Sequence, residues 1–527
     1  MLSDYSLPTI LGELLQNLYN SIDAIAVGKL VNHCTLVAMM IYGIRVLKVP
    51  IRFVFLQKLR LTSTYEKETV RAWEENGTMS RQINFTQGSI VRAIVLFSIP
   101  LILGELLQNL YNSVDALVVG NLIDQRALAA VTVCGVIANM VVNFFNGMSV
   151  GSNVVVAKSV GSGDQERLHR VIRVTFSFGA LFGIVLSLFG IIFTPELLRL
   201  ADAQESYFSG ALIYLRIYLA GAMFTVIYNN AAGILRALGR SDASFRILLV
   251  SCGLNIVLDV LFTGVLQWGI AGVGIATMVS QATSASIAYH TINQEMQSHC
   301  FDLKEMYSGD GKVIAEVMRI GMAAGVQSAL IGFSNIFVVR YMNWFSADAV
   351  AGIGIAQRLD RFIILPAKSF GITMATFIGQ NMGAGQYRRI ETGKRQCAAV
   401  ALGVTLGLSA VIYIFTEQCV ALFSPEPAVI EVGVTMMRVL VPMFWTMALR
   451  EVLLGTLRGC GHNFWPMVLS LVGMVGVRQV FLAITMRHSP VIKNIYYCYP
   501  VAWAVTLLLL IVYYVAMRKK LLPKGEN

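Results

Sequence analysis

The chain has 527 residues, of which 56% are hydrophobic and only 13% are charged, and its mean hydropathy is +0.66. An ordinary soluble domain carries about 25% charged residues, so this composition excludes disordered chains and most soluble enzymes. The net charge of +11 would suggest nucleic acid as a partner of a soluble protein. Here the cations fall mainly in short gaps between apolar segments, which is typical of membrane proteins. We therefore predict an all-α polytopic membrane protein without a nucleic-acid partner.

Residues 1–84 form an atypical N-terminal extension. Within it, residues 8–31 nearly copy residues 100–123 at an offset of 92, and a basic stretch and a polar linker follow the copy. Two interpretations remain open. The copy is either an additional helix or autoregulatory segment, or a remnant of a tandem duplication or a gene-model artefact, and we favour the second.

Twelve apolar stretches after this extension are long enough to span a bilayer, which takes about 20 residues. Helices 1–6 fall in residues 85–295 and helices 7–12 in residues 313–527, which end in a basic tail, with a loop at 296–312 between them. Because cations cluster after the even-numbered helices, we expect both ends of this body in the cytoplasm. We expect the plasma membrane as its location. The predicted helices are 91–122, 126–156, 168–194, 207–236, 243–266, 269–292, 313–345, 347–379, 392–418, 428–457, 463–486 and 493–517.

An internal repeat relates the two halves. A shift of 222 residues superposes Arg216 on Arg438 and Gly233 on Gly455, and the glycine-rich loop after helix 2 on the loop after helix 8. Six helices per half make the two repeats parallel about an axis along the membrane normal. We expect two six-helix lobes with a central cavity that can open to either side.

Five short sequence motifs are spread over residues 85–520, at 100–120, 161–164, 235–239, 255–259 and 379–385. In this order they resemble the multidrug and toxic compound extrusion (MATE) family of cation-coupled efflux transporters. The resemblance is closest to the bacterial branch whose key acids lie in the N-terminal lobe. It implies two lobes in a V shape, antiport driven by sodium or protons, and organic, often cationic, substrates.

Ionisable groups at membrane depth are functional candidates, because they are costly unless paired or hydrated. Asp115 in helix 1, Asp259 in helix 5 and Thr277 in helix 6 lie roughly 12–15 Å below the external surface, at 1.5 Å per residue, and can share one chamber. Asn255 lies on the same face as Asp259. Carboxylate, amide and hydroxyl oxygens suit Na⁺, or a proton on acids whose pKa burial raises. The resemblance places Asp115, Asn255, Asp259 and Thr277 in the N-lobe cation site of the family.

The predicted substrate cavity is lined by helices 1 and 4. Gln108 and Tyr111 share a helical face with Asp115, and the resemblance assigns both to the cavity wall. Asn229 and Asn230 of helix 4 either face the same cavity or form interhelical hydrogen bonds.

Glu105 and Glu451 are secondary candidates. Glu105 either gates the cavity or pairs with an arginine. Glu451 has Arg450 beside it and no obvious second acid, so we expect ion pairing within the second half rather than ion coupling there. Thr277 has an alternative role as well, because helical threonines often bond their own backbone.

Other kinds of chemistry have no support in the sequence. It contains no HExxH motif, and its eight cysteines form no CxxC pair and are expected to be reduced. The glycine-rich loops after helices 2 and 8 are expected to permit tight turns rather than to hold nucleotide phosphates.

We therefore predict a secondary active exporter and not an enzyme. It would exchange small organic substrates for Na⁺ or H⁺ by alternating access within membrane lipid, without a cofactor, a resident metal or an ATPase subunit. The alternative is a flippase for a lipid-linked or amphipathic substrate.

Overall fold

The structure is a computed structural model that describes residues 82–123, 125–200, 204–308 and 311–521. Within these ranges the structure describes only the backbone at 110–117, 120–122, 125–126, 128–129, 136, 139, 200 and 519–521. The described residues belong to one compact unit, Ser80–Asn527. The partial copy of helix 1 at residues 8–31 lies outside the described residues.

Twelve long helices follow one another in the described part of the chain. Eleven are long and apolar enough to cross a membrane, and the bent pair Glu205–Ala220 and Ala222–Ala237 makes a twelfth span. The prediction of an all-α polytopic protein with twelve spanning helices is confirmed. The helices are α1 Ile90–Leu122, α2 Gln125–Ser162, α3 Gln165–Leu200, α4a Glu205–Ala220, α4b Ala222–Ala237, α5 Ser241–Asp259, α6 Gly269–Met296, α7 Gly311–Met342, α8 Ala347–Gly383, α9 Tyr387–Ile414, α10a Pro427–Leu440, α10b Phe444–Gly459, α11a Phe464–Leu471, α11b Arg478–His488 and α12 Lys493–Leu521.

Helices 4 and 10 are each broken, and the breaks were not predicted from the sequence. Helix 4 bends by 41° between α4a and α4b, at Gly221. Helix 10 breaks at the 3₁₀ turn Val441–Met443, which contains Pro442. Proline has no amide hydrogen to donate, so it interrupts the hydrogen bonding of the helix. The breaks are equivalent in the internal repeat, since 443 − 221 = 222, but the apolar pattern runs through both without a gap.

Helix α2 joins the two halves of the chain, because it packs against α7 and α8 as well as against α4b. Gly147 and Gly151 of α2 face Gly321 and Gly325 of α7. A Cβ atom at Gly147 would lie 2.3 Å from the backbone nitrogen of Gly325. Glycines four residues apart on both helices therefore bring the two backbones into contact, as in GxxxG helix pairs of membrane proteins.

The glycine-rich loops continue this contact at the ends of α2 and α8. A Cβ atom at Gly161 would lie 1.8 Å from the carbonyl oxygen of Gln380, and one at Gly383 would lie 2.0 Å from that of Lys158. Gly163 has a φ of +74°, which glycine adopts without strain. The predicted role in tight turns is confirmed at Gly163, and the structure adds a close approach of two backbones.

Polar side chains fasten the same end of the molecule. Gln380 of α8 donates through Nε2 to the carbonyl oxygen of Ala237 at 2.8 Å, and its Oε1 accepts from the backbone nitrogen of Phe85 at 2.9 Å. Asn153 of α2 and Thr376 of α8 exchange hydrogen bonds of 3.0 and 3.1 Å. We call this contact region, residues 147–163 with 317–325 and 371–383, the sealed end.

Along α2, α7 and α8, exposure on the side that carries Lys368 ends where the sealed end begins. Lys368 of α8, Asn146 of α2 and Leu330 of α7 are exposed, whereas no residue of 369–384, 147–161 or 320–329 is. From this pattern we infer that the two halves separate beyond the sealed end and leave a space that is accessible from the opposite end.

Candidate functional site

The three helices that carry the predicted cation site are neighbours. Helix α5 packs against both α1 and α6, and α1 also contacts α6. Asn255 and Asp259 of α5 are only 1% and 0% exposed, and Thr277 of α6 is buried as well. The side chains of Asp115 and Tyr111, both in α1, lie outside the described residues. The structure thus brings the three helices together, and the meeting of Asp115 with Asp259 stays a prediction.

The backbone beside Asp259 departs from a regular α-helix. Helix α5 ends at Asp259 and continues directly as the π-helical turn Val260–Val265. Such turns are rare and occur frequently at functional sites. The sequence offered no signal for it, because the apolar residues 260–265 are equally compatible with an ordinary α-helical turn.

Thr277 bonds to its own helix backbone, because its Oγ1 donates to the carbonyl oxygen of Val273 at 3.1 Å. A hydroxyl that donates one hydrogen bond retains acceptor lone pairs, so Thr277 can still offer an oxygen to a cation. Beside it, Ser251 of α5 donates to the carbonyl oxygen of Ser280 on α6 at 3.1 Å. This hydrogen bond holds the two helices together next to the candidate site.

The predicted cavity residues have different surroundings. Gln108 of α1 and Asn229 of α4b are half-buried. Asn230 is 7% exposed; its Nδ2 donates to the carbonyl oxygen of Thr175 on α3 at 2.9 Å, and its Oδ1 accepts from Ser152 on α2. For Asn230 the structure therefore shows the interhelical hydrogen bonding that was the second of the two interpretations.

Glu105 is half-buried on α1. It lies within electrostatic range of Arg236 and Tyr228 of α4b. It forms no ion pair within 4 Å with any residue that the structure describes. Glu105 is therefore placed near an arginine but is not in direct contact with it.

The second half contains the ion pair expected from the sequence. Glu451 and Arg450 of α10b are both buried and are bonded to each other. On the same helix, Arg458 donates to Gln327 of α7 at 3.0 Å. Because the Glu451 carboxylate already has an adjacent cation, it is a weaker candidate for a coupling ion than Asp259.

In the internal repeat, the position in the second half that is equivalent to the candidate cation site of the first half is occupied by a buried arginine. Arg478 aligns next to Asn255 in the internal repeat, since 478 − 222 = 256, and it follows directly on a second π-helical turn, Val472–Val477. A permanent positive charge at this place disfavours the binding of a cation there. The repeat offset was the sequence signal that could have revealed this difference between the halves.

Arg478 is held by α7 and α12. It is 2% exposed, its Nη1 donates to Asn335 at 2.8 Å and its Nη2 donates to Ser334 at 2.6 Å. Its guanidinium also lies over the ring of Tyr499, 5.7 Å from the centroid. The planar guanidinium group can satisfy these partners together, which a lysine ammonium cannot.

We expect Arg478→Lys to lower the free energy of unfolding by about 1–3 kcal/mol, the range for hydrogen bonds to a charged group and for buried partners left unsatisfied. Unfolding of the purified protein in detergent measures this change. The matched control is Arg487→Lys on the same helix, which is exposed and should change stability by less than about 0.5 kcal/mol. Equal stability of Arg478→Lys and the wild type would show that these hydrogen bonds do not hold α11b in place.

The chain is similar to known membrane proteins over most of its length. The MatE family model matches residues 100–261 and 323–484, one match in each half. The chain is 28% identical over 442 residues to the probable multidrug resistance protein YoeA of Bacillus subtilis (strain 168), covering 82% of this chain and 95% of that protein. It is 22% identical over 401 residues to the multidrug export protein MepA of Staphylococcus aureus (strain NCTC 8325 / PS 47), covering 76% and 88%.

Solved structures share the fold. One, described as the outward-facing conformation of a multidrug resistance MATE family transporter of the MOP superfamily, aligns with a TM-score of 0.76 at 21% identity over 84% of this chain and 98% of that one. A second, of MATE in complex with MaD3S, aligns with a TM-score of 0.75 at 22% identity over the same shares. At this level of identity the likeness establishes the fold. Because the two family matches also cover more than half of the chain, it belongs to the MatE family and is a multi-pass membrane transporter, not an enzyme.

Proposed function

We propose that this chain exports small organic compounds across the plasma membrane in exchange for Na⁺ or H⁺. The observation that carries the proposal is the carboxylate of Asp259, which is fully buried in an apolar spanning helix. Such a group is expensive to keep in a membrane and marks an ion or substrate pathway by default. The names of the relatives, a multidrug resistance protein and a multidrug export protein, support organic compounds as the substrates and do not favour the flippase alternative.

The chemistry around Asp259 suits either coupling ion. A sodium ion would be held by carboxylate oxygens of Asp115 and Asp259 together with the amide oxygen of Asn255 and the hydroxyl of Thr277, all hard ligands. A proton would instead neutralise one carboxylate, whose charged form burial disfavours. In both cases one positive charge enters a buried acidic chamber.

The sealed end supports alternating access as the mechanism. We infer that it lies on the cytoplasmic side, because Lys158 lies in the last two turns of α2, and Arg388 and Arg389 follow the end of α8 there. The chain would then be open to the outside, where a cation reaches the chamber and the substrate leaves. Opening of the sealed end would expose the cavity to a cytoplasmic substrate. Each ligand drives this cycle only by binding one conformation more tightly than the other.

The proposal is tested with the full chain reconstituted in liposomes that contain ethidium, a fluorescent organic cation. Sodium and pH gradients are imposed separately, and the release of the dye is followed. We expect one gradient to accelerate release and its collapse by an ionophore to abolish the effect, with protein-free liposomes as the control. If neither gradient accelerates release by folded protein, coupled export of organic cations is wrong.

A further inference from the structure

Helix α8 carries three exposed cations, Arg358, Arg361 and Lys368, which we call the basic stripe. At about 100° per residue they fall within one third of the helix circumference. The helix is 37 residues long, and Lys368 lies near its middle. Cations at such depth in a membrane almost always face a water-filled cavity or a partner. Cations near a helix end can extend to the membrane interface, but Lys368 is too far from either end of α8 for this to explain the stripe.

The neighbours of α8 show where the stripe faces. The helix packs against α1 and α2 of the first half and against α9, α10a and α10b of the second. From the stripe, Arg361 donates through Nη1 to Asn109 of α1 at 3.3 Å, so it points toward the first half. Exposure on α8 ends at Lys368, where the sealed end begins. The stripe thus borders the space between the halves, and its last cation lies at the closed floor of that space.

The stripe has no directly bonded acid among the described residues. None of its three cations forms an ion pair within 4 Å with the residues described in 82–521. Asp360, the acid beside Arg361, is only 8% exposed. Glu451 lies within electrostatic range of Lys368 but is already paired with Arg450. Among the residues that the structure describes, the three positive charges therefore have no direct counter-charge.

We propose that the basic stripe is an anion-binding wall of the substrate cavity, and that the preferred substrates are amphipathic molecules with a carboxylate, sulfonate or phosphate group. This inference rests on the proposed export function and specifies its substrate class. Guanidinium groups bind such anions through paired, charge-assisted hydrogen bonds. On the opposite side, half-buried Gln108 and Glu105 of α1 accept polar or cationic parts of the same molecule, so zwitterions fit as well.

Two dyes isolate the role of the anionic group. Rhodamine 110 has a free carboxylate, and rhodamine 123 is its methyl ester with the same cationic ring system. We expect the wild-type protein in nanodiscs to bind rhodamine 110 about tenfold more tightly, because a charge-assisted hydrogen bond is lost in the ester. The triple variant Arg358→Gln, Arg361→Gln and Lys368→Gln should bind both dyes equally, as measured by fluorescence polarisation.

The control is Arg388→Gln on the adjacent helix α9, which removes an exposed cation outside the stripe and should keep the wild-type preference. Because a triple variant can fail to fold, Arg358→Gln alone, which leaves the Arg361–Asn109 contact intact, should show a partial loss. The anion-binding wall would be overturned if the wild-type protein bound the two dyes equally. It would also be overturned if the folded triple variant still bound rhodamine 110 more tightly than rhodamine 123. In that case gradient-driven release of rhodamine 123 would leave the proposed export intact, whereas no gradient-driven release of either dye would contradict the export itself.

The same anionic chemistry is present in lipid headgroups, and a second assay separates the two sources. Fluorescently labelled phosphatidylglycerol and phosphatidylcholine are followed across the bilayer of the same proteoliposomes. We expect no protein-dependent movement of either lipid while rhodamine 110 is exported. Faster movement of phosphatidylglycerol than of phosphatidylcholine, lost in the triple variant, would assign the stripe to a lipid phosphate and overturn the soluble amphipathic substrate.

Discussion

Replacing Gly147 with alanine is expected to open the sealed end and to suppress transport. The added Cβ atom would lie 2.3 Å from the backbone nitrogen of Gly325 and 2.5 Å from the backbone carbon of Ala324. Backbone atoms cannot rotate away as a flexible side chain can, so α2 and α7 must separate. Overpacking of this kind costs about 1–3 kcal/mol. That cost would change the ratio of sealed to open molecules by about 5- to 150-fold.

Spin labels on α2 and α7 near the sealed end would measure this shift as a longer distance in the variant, and dye release would measure the loss of transport. The matched control is Gly135→Ala on the same helix, where a Cβ atom would meet nothing within 4 Å. Alanine there should leave transport unchanged and can add about 0.5–1 kcal/mol of helix stability. An unchanged distance and normal transport in Gly147→Ala would show that close contact of these backbones is not needed for the cycle.

Asp259→Asn is expected to abolish the coupling of export to a cation gradient. Asparagine has nearly the same shape but cannot carry the negative charge that a buried cation or proton must compensate. Gradient-driven dye release should fall by about tenfold or more, which corresponds to about 1.4 kcal/mol in the barrier. Binding of the dye without a gradient should be preserved, because Asp259 is fully buried rather than exposed to the space between the halves. Release from proteoliposomes and equilibrium binding measure the two quantities separately.

Glu431→Gln is the control for this change, because it removes an exposed acid of α10a and should leave coupling intact. Full gradient-driven release by Asp259→Asn would contradict the cation site in the first half. Loss of dye binding together with release would instead show that Asp259 contacts the substrate directly.

The fold followed from features that are local in the sequence. Each spanning helix needs only enough apolar residues to cross the bilayer, which the chain pattern contains without reference to any contact. The 222-residue repeat likewise relates the halves by position alone, and the structure repeats it in the helix breaks at Gly221 and Val441–Met443. The breaks in helices 4 and 10 were not predicted, because the run of apolar residues continues through the positions where the backbone hydrogen bonding of the helix is interrupted.

The candidate cation site could be predicted in part. The spacing of Asn255 and Asp259 gives a shared face in any helix, and both are buried on α5 as that face requires. By contrast, the interhelical bonds of Asn230 depend on Thr175 and Ser152, which lie far away in the chain. Spacing within one helix cannot decide which neighbour a side chain will meet.

The amino-acid sequence by itself determined the class of protein, the number of spans, the two related halves and the residues able to carry a cation, because these depend on composition and on distances along the chain. Only the tertiary structure decided which end is closed, why Gly147 and Gly325 must be glycines, and that the cations of α8 border the space between the halves. These properties arise where segments hundreds of residues apart come into contact, and helix packing there depends on the shape and charge of both surfaces.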